Sequence, residues 1–326
     1  MKIEKEKIFK MKGSKKNKKI IYITILLLII LYYFIYYRIF YFHPNDVKIN
    51  EDKNTNNIYS TKACLCMICK LENLYIKEFI EHYRKLGYNH IFIYDNNDID
   101  GERFEDVIQK EIDEGFISII NFRGDTEKPQ FRAFIDCYEK NNNNYDWLSF
   151  FDTDEFLEIK PKGINIQEFL NQERFKNCQS VKFNWLTYSD NDKINYENKP
   201  IQERFTKYLF NSNINIHIKS TVRGNLPTNY WIGAWNPHSG VNNYNSCNPS
   251  GKQIPKNSPY IFPTYKYGFL KHYRTKTIEE FVKKMKKGRA DAPMNYTVLM
   301  KKFFAINNKT KEKLDIFKKE FNISFN

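Results

Sequence analysis

The hydrophobic pattern changes character at about residue 40. Residues 20–37, "IIYITILLLIILYYFIYY", carry no charge, and the stretch before them, 1–19, holds nine lysines against two glutamates. Eighteen residues at 1.5 Å each span about 27 Å, near the hydrocarbon thickness of a bilayer, and the tyrosines at the far end suit an interfacial belt. The run predicts a transmembrane signal anchor over 20–42 behind a basic tail over 1–19. A cleaved signal peptide wants a shorter apolar region and small residues at its end, whereas this one continues into "YYRIFYFHP". By the positive-inside rule the basic tail is cytoplasmic and the remainder luminal, in the Golgi or another membrane of the secretory pathway.

Past a polar stem, 43–60, the period alternates between two and about 3.6. "KACLCMICK", "HIFIYDNND", "FISIINF" and "WLSFFDTDEF" read as strands, and "LYIKEFIEHYRKLG", "GERFEDVIQKEIDEG" and "KPQFRAFIDCYEKN" as the helices between them. Such alternation predicts an α/β fold, a mainly parallel sheet flanked by helices, with its ligand crevice at the carboxyl ends of the strands. The domain is expected over 61–292, with a tail over 293–326 that reads as a basic amphipathic helix or an irregular end.

Charge changes the picture less than its total suggests. Of the net +14, residues 1–19 carry +7 (nine lysines less two glutamates) and Arg38 adds one, leaving +6 for residues 39–326. The high pI is half an effect of the anchor, so nucleic acid is not an expected partner. All six cysteines lie beyond the anchor, where disulfides can form. "CLCMIC" alternates with apolar residues and reads as a buried strand rather than a zinc knuckle. Asn295, Asn308 and Asn322 begin sequons that would accept glycans in a luminal compartment.

The stretch "LSFFDTDEFLEI" sets three carboxylates in four positions after an apolar run. Carboxylates so close repel unless a cation sits among them. At the carboxyl end of a buried strand, Asp152 and Asp154 are placed to hold a hard divalent ion that also grips a diphosphate. Glu155, pointing the other way along a strand, is expected to be structural. Phosphatases that form an aspartyl phosphate use a D-x-D too, but near the start of their domain and without Phe156 following. From Arg204 through Thr277 there is no acidic residue, while Lys219, Arg223, His238, His272, Arg274 and Lys276 all lie in that span. An acid-free, base-bearing stretch opposite a carboxylate pair suits an anionic leaving group; the alternative is a basic face for anionic lipids or glycans.

The segments "KLENLYIKEFIEHYRKLGYNHIFIYDNND", "QFRAFIDCYEK", "WLSFFDTDEFLEI", "HIKSTVR", "NPHSG" and "LKHYRTKTIEEFVKKMKKGRA" together resemble the membrane-anchored glycosyltransferases of the family-2-like and family 92 group. One departure is Leu71, where that group usually has asparagine between lysine and glutamate. The resemblance implies a GT-A fold, with a nucleotide-sugar half over 61–160 and an acceptor and leaving-group half over 161–292. It also implies transfer of a hexose from a nucleotide-diphosphate sugar to a glycan or glycoprotein acceptor, with Mn2+ or Mg2+ on the D-x-D and inversion at the sugar. Asp154 is then expected to contact the metal directly, Asp152 to take the ribose or a second metal contact, and Asp95 either to face the nucleoside or to close an Asx turn. His272, then His238, would complete the metal site. Lys219, Arg223, Arg274 and Lys276 would face the diphosphate. The inverting base ranks first at Glu203 and Asp190. Trp185, Tyr188, Trp231 and Trp235 are candidates for stacking on acceptor sugars or for the core, and His82 is expected to be structural. Two other classes stay open: a non-catalytic lectin-like membrane protein, and a metal-dependent phosphoryl or nucleotidyl transferase.

Overall fold

The computed structural model describes residues 22–32, 61–227, 244–256, 258–286 and 295–321. The chain divides into two compact units, Met1–Val47 and Lys48–Asn326. In the first, residues 22–32 are helical and exposed. Among the described residues no helix is long and apolar enough to cross a membrane. The rest of the expected anchor, 20–21 and 33–42, lies outside the described residues.

The second unit opens with four strands and three helices in alternation: β1 (Ala63–Cys69), α1 (Ile76–Lys85), β2 (His90–Asp95), α2 (Glu105–Asp113), β3 (Ile117–Asn121), α3 (Pro129–Asn141) and β4 (Trp147–Phe150). Both faces of β1 are covered, as an interior parallel strand requires. Leu65 and Met67 join one core cluster with Ile76, Phe79, Ile80 and Tyr83 of α1. Cys64 and Cys66 join another with Phe134 and Tyr138 of α3. The spacing of the four α1 residues is that of one helix face. A disulfide from Cys66 to Cys137 ties α3 to the sheet, and a second joins Cys178 to Cys247. Cys64 and Cys69 are buried outside these pairs.

The remaining elements are β5 (Glu155–Ile159), α4 (Ile166–Leu170), β6 (Ser180–Thr187), α5 (Ile201–Arg204), β7 (Ile218–Arg223), β8 (Ser246–Cys247), β9 (Gln253–Ile254), β10 (Gly268–His272), α6 (Ile278–Lys286), α7 (Tyr296–Phe304) and α8 (Lys311–Phe321). The main path of the sheet runs β3-β2-β1-β4-β7-β6-β10-β5. Its first four strands are mutually parallel and β10 pairs parallel with β6, but β7 is antiparallel to β4 and to β6, and β5 to β10, so the sheet is mixed rather than parallel throughout. The reason lies in the connections. Full-length helices cross between β1 and β4, whereas the later links are loops and helices too short for parallel crossovers, apart from β6 to β10. Nor does the predicted strand over 147–156 run through: it breaks at Phe151–Asp154, where the Glu155 N–H bonds to the Asp152 carbonyl at 3.0 Å.

That break also bends the sheet. From β4 to β5 the path takes four strand spacings, about 19 Å if flat. Phe150 and Glu155 are five residues apart and reach at most about 18 Å when extended; a hydrogen-bonded turn reaches far less. The sheet therefore curls, bringing its β5 edge back toward β4.

At the C-terminus, α7 and α8 bury Met300, Phe303 and Phe317 against Ile278, Phe281 and Met285 of α6. Residues 295–321 of the expected tail are thus part of the second unit's packing.

Candidate active site

Strand register decides which side chains share the concave region. Lys219 lies opposite Phe183, two residues before Trp185; His272 lies opposite both Thr187 and Glu155. With a side-chain period of two, Lys219, Trp185, His272 and Glu155 fall on one face. The D-x-D turn closes over them. The Tyr273 N–H holds the Asp154 carbonyl at 2.9 Å, and the Asp152 N–H donates to Glu155 Oε2 at 2.9 Å.

Each aspartate has its own lysine. Lys219 Nζ donates to Asp152 Oδ2 at 2.7 Å and stands 3.6 Å from Glu155 Oε2, with only 1% of its side chain exposed. Gln130 of α3 adds a hydrogen bond to Asp152 Oδ1 at 3.2 Å. Glu155 is buried and also accepts from Trp185 Nε1 at 2.7 Å. Burial pushes its carboxyl up to about 8; Lys219 pulls the other way, while Asp152 and Asp154 add to the rise. Burial would strip the proton from Lys219, but Asp152 and Glu155 more than reverse this. The shorter contact pairs Lys219 with Asp152, while Glu155 takes an N–H donor on each of its carboxyl oxygens. Contrary to the expectation, Glu155 does not point away; it is the floor on which Asp152 and Lys219 are set.

Asp154 faces a second cation. Lys284 Nζ, from α6, donates to Asp154 Oδ2 at 2.7 Å, and His272 Nε2 lies 3.6 Å from Oδ1. Burial disfavours the carboxylate, yet Lys284 and His272 hold its pKa well below the usual range. Burial lowers the His272 pKa against the pull of Asp154, so the imidazole stays neutral. Its Nδ1 is buried without a hydrogen-bond partner among the described residues. Lys276 is buried in a left-handed conformation (φ 53°), its ammonium 3.9 Å from the Tyr75 ring centre, and the Arg274 carbonyl accepts from Lys284 at 3.4 Å. Glu72, three residues past the end of β1, acts electrostatically on both Lys276 and Lys284.

A neutral imidazole with incomplete hydrogen bonding beside an ionised carboxylate is a donor pair suited to manganese or magnesium. Two atoms sharing an ion at ~2.1 Å each lie about 3 Å apart in octahedral geometry, so the 3.6 Å separation is compatible. Among the described residues no cluster of three or more His, Cys, Asp or Glu side chains is placed to hold a metal. Asp154 and His272 therefore fit as part of a coordination sphere, not as a complete one.

Of the other expected residues, Asp95 is buried and closes an Asx turn on the Asn97 N–H at 2.9 Å, with Arg123 Nε 3.3 Å from its other oxygen. Arg223 does not reach the site. It lies opposite Trp147, at the start of β4, where it stacks on the indole at 4.3 Å and donates to the carbonyls of Cys178 and Phe175. Antiparallel pairing explains the difference, since Lys219 sits at the other end of the same strand. Asp190 is also displaced: it is buried 2.6 Å from Lys313 of α8, and burial pushes its carboxyl up against that pull. Glu203 is exposed on α5. Trp185 and Tyr188 are core residues, 5% and 9% exposed, and do not offer open faces to a sugar. His82 is structural, 2.9 Å from the Leu157 carbonyl. His238, Trp231 and Trp235 lie outside the described residues.

Sequence reasoning missed Lys284, Glu72 and Gln130. For Lys284 a signal existed: on α6 it lies four residues after Glu280, on a flank that the burial of Glu280 marks as inward. The spacing reads as a surface ion pair, whereas each partner bonds elsewhere.

A profile of Glycosyltransferase family 92 matches residues 60–301. A glycosyltransferase family 92 protein of Ricinus communis is 29% identical over 112 residues, 34% of this chain and 20% of that protein. One of Oryza sativa subsp. japonica is 27% identical over 113 residues, 35% of this chain and 19% of that protein. The matched stretch spans about a fifth of these curated relatives. Among solved structures, S. aureus TarS 1-349 covers 76% of this chain and 70% of its own at 10% identity and a TM-score of 0.33, too distant to bear on the site. With a match that takes in most of its length, the chain belongs to glycosyltransferase family 92.

Proposed function

We propose that the chain is a metal-dependent glycosyltransferase of the GT-A type, moving a sugar, a hexose by the resemblance, from a nucleotide-diphosphate donor to a hydroxyl of a glycan or glycoprotein acceptor. The observation that carries this reading is Asp154, kept ionised between neutral His272 and Lys284 at the turn where the sheet closes. Asp154 and His272 would hold Mn2+ or Mg2+. When bound, the ion supplies Lewis-acid stabilisation of the diphosphate as it leaves. Lys219 and Gln130 each hold one Asp152 oxygen and so orient the carboxylate toward the donor's ribose or metal. Arg274, Lys276 and Lys284 supply positive charge for the leaving group, and Lys276 is held for it by Tyr75.

Inversion requires a base on the far side of the sugar. Several acceptor-half acids are committed elsewhere: Asp190 to Lys313, Asp192 to Lys207, Glu197 to Lys193, Glu279 to Lys283 and Glu280 to Arg204. Glu203 remains a candidate, with Asp291 outside the described residues. The apolar run over 20–42 and its lysine-rich flank support a membrane anchor with a luminal domain in the Golgi or another secretory membrane.

The test is nucleotide release from a panel of sugar nucleotides, with Mn2+, with chelator and with Asp154→Asn. Release should require the metal and fall at least about 100-fold in the variant. Release that survives both chelation and the substitution removes the proposed mechanism.

A further inference from the structure

The two lysines at the D-x-D are held differently. Lys219 is 1% exposed and held between Asp152, at 34% exposure, and fully buried Glu155, so it has no solvent of its own to move into. Lys276 is likewise confined, 6% exposed over Tyr75. Lys284 comes from the last turn of a helix, its side chain is 42% exposed, and beside its bond to Asp154 it makes a 3.4 Å contact to the Arg274 carbonyl. It is the one cation of the three with solvent to move into.

Charge makes that freedom consequential. Asp154 with Lys284 is a neutral pair, as is Asp152 with Lys219. A divalent ion entering beside Asp154 would meet Lys284, Lys276 and Arg274 together, and like charges at a few ångströms in a partly buried site repel strongly. Lys284 already bonds one Asp154 oxygen at 2.7 Å, so ammonium and metal compete for the same carboxylate. We propose that Lys284 is a displaceable internal cation: it neutralises Asp154 in the resting site and must yield that carboxylate before a divalent ion can bind. This rests on the metal-dependent reading above and adds to it a residue that sets metal affinity by competition.

The signature has an unusual sign. Removing a residue that merely supports the site weakens metal binding, whereas removing a competitor strengthens it. Mn2+ alone, without donor, is titrated into the full chain and into Lys284→Met, Lys284→Gln, Lys284→Arg and Asp154→Asn, with free Mn2+ read by electron paramagnetic resonance. Each form is first checked by thermal unfolding, and the glutamine variant stands in should the methionine variant not fold. The expected result is binding at least tenfold tighter in the neutral variants, near the parent value in Lys284→Arg, and lost in Asp154→Asn. Binding that is unchanged or weaker in the neutral variants, or retained in Asp154→Asn, overturns the proposal while leaving metal dependence intact. Absence of Mn2+ binding in every form overturns it together with the metal-dependent reading.

Discussion

Glu280 shows what a buried charge requires in this chain. It is 4% exposed, yet Arg204 meets it with two nitrogens at 2.8 and 2.9 Å, Tyr75 donates at 2.9 Å, and Thr277 donates from both its N–H and its hydroxyl. Glu280→Gln keeps the volume and removes the charge, leaving Arg204 buried without a counter-ion. The expected cost is about 3–5 kcal/mol, read as a lower urea midpoint; a midpoint within error of the parent would show that Arg204 finds water instead. Residue identities of this kind are only half legible in a sequence. The crowding at Asp152–Glu155 raised the question of a compensating cation, and Lys219 could be named because it begins an alternating strand in an acid-free stretch. Lys284 was missed, because its spacing from Glu280 reads as a surface ion pair and only the packing of α6 brings it, 130 residues on, to Asp154. The partner of Asp190 was hidden for the same reason in reverse: its loop position looked open, and Lys313 arrives from α8.

At the scale of elements, that partner makes a distinction testable. Lys313 and Asp190 are each 1% exposed and 2.6 Å apart, which ties α8 to the loop after β6. Lys313→Met alone strands a buried carboxylate and should cost about 3–5 kcal/mol; adding Asp190→Asn should restore a large part of it. The double variant should keep the parent kcat below its unfolding temperature if the Asp190 carboxylate, paired with Lys313, serves to hold α8. A kcat loss of 100-fold in a folded double variant would return Asp190 to the chemistry. The elements through β4 were legible because periodicity and parallel crossovers agree there. Beyond β4 the links are short and irregular, pairing is decided by distant strands, and the direction of β5, β7 and β10 could not be read from local pattern.

At the scale of the whole molecule, the two units divide at residue 47, close to the end of the expected anchor. Membrane fractions containing the full chain should retain it after alkaline carbonate extraction, and the sequons at Asn295 and Asn308 should carry glycosidase-sensitive mass. Release by carbonate, with unmodified sequons, would contradict both the anchor and its orientation. The larger feature is the turn from Phe151 to Asp154. It is a chord drawn across the arc of the sheet, and the length of a chord fixes the curvature of its arc. The spacing of the two aspartates and the bend of the three strands they bridge are therefore one variable. A substitution that flattens the sheet anywhere along β7, β6 or β10, such as a side chain at Gly268, whose Cβ would meet the Phe183 ring at 3.0 Å, pulls on the chord from afar. Loss of activity in such a variant would need no contact with the donor at all.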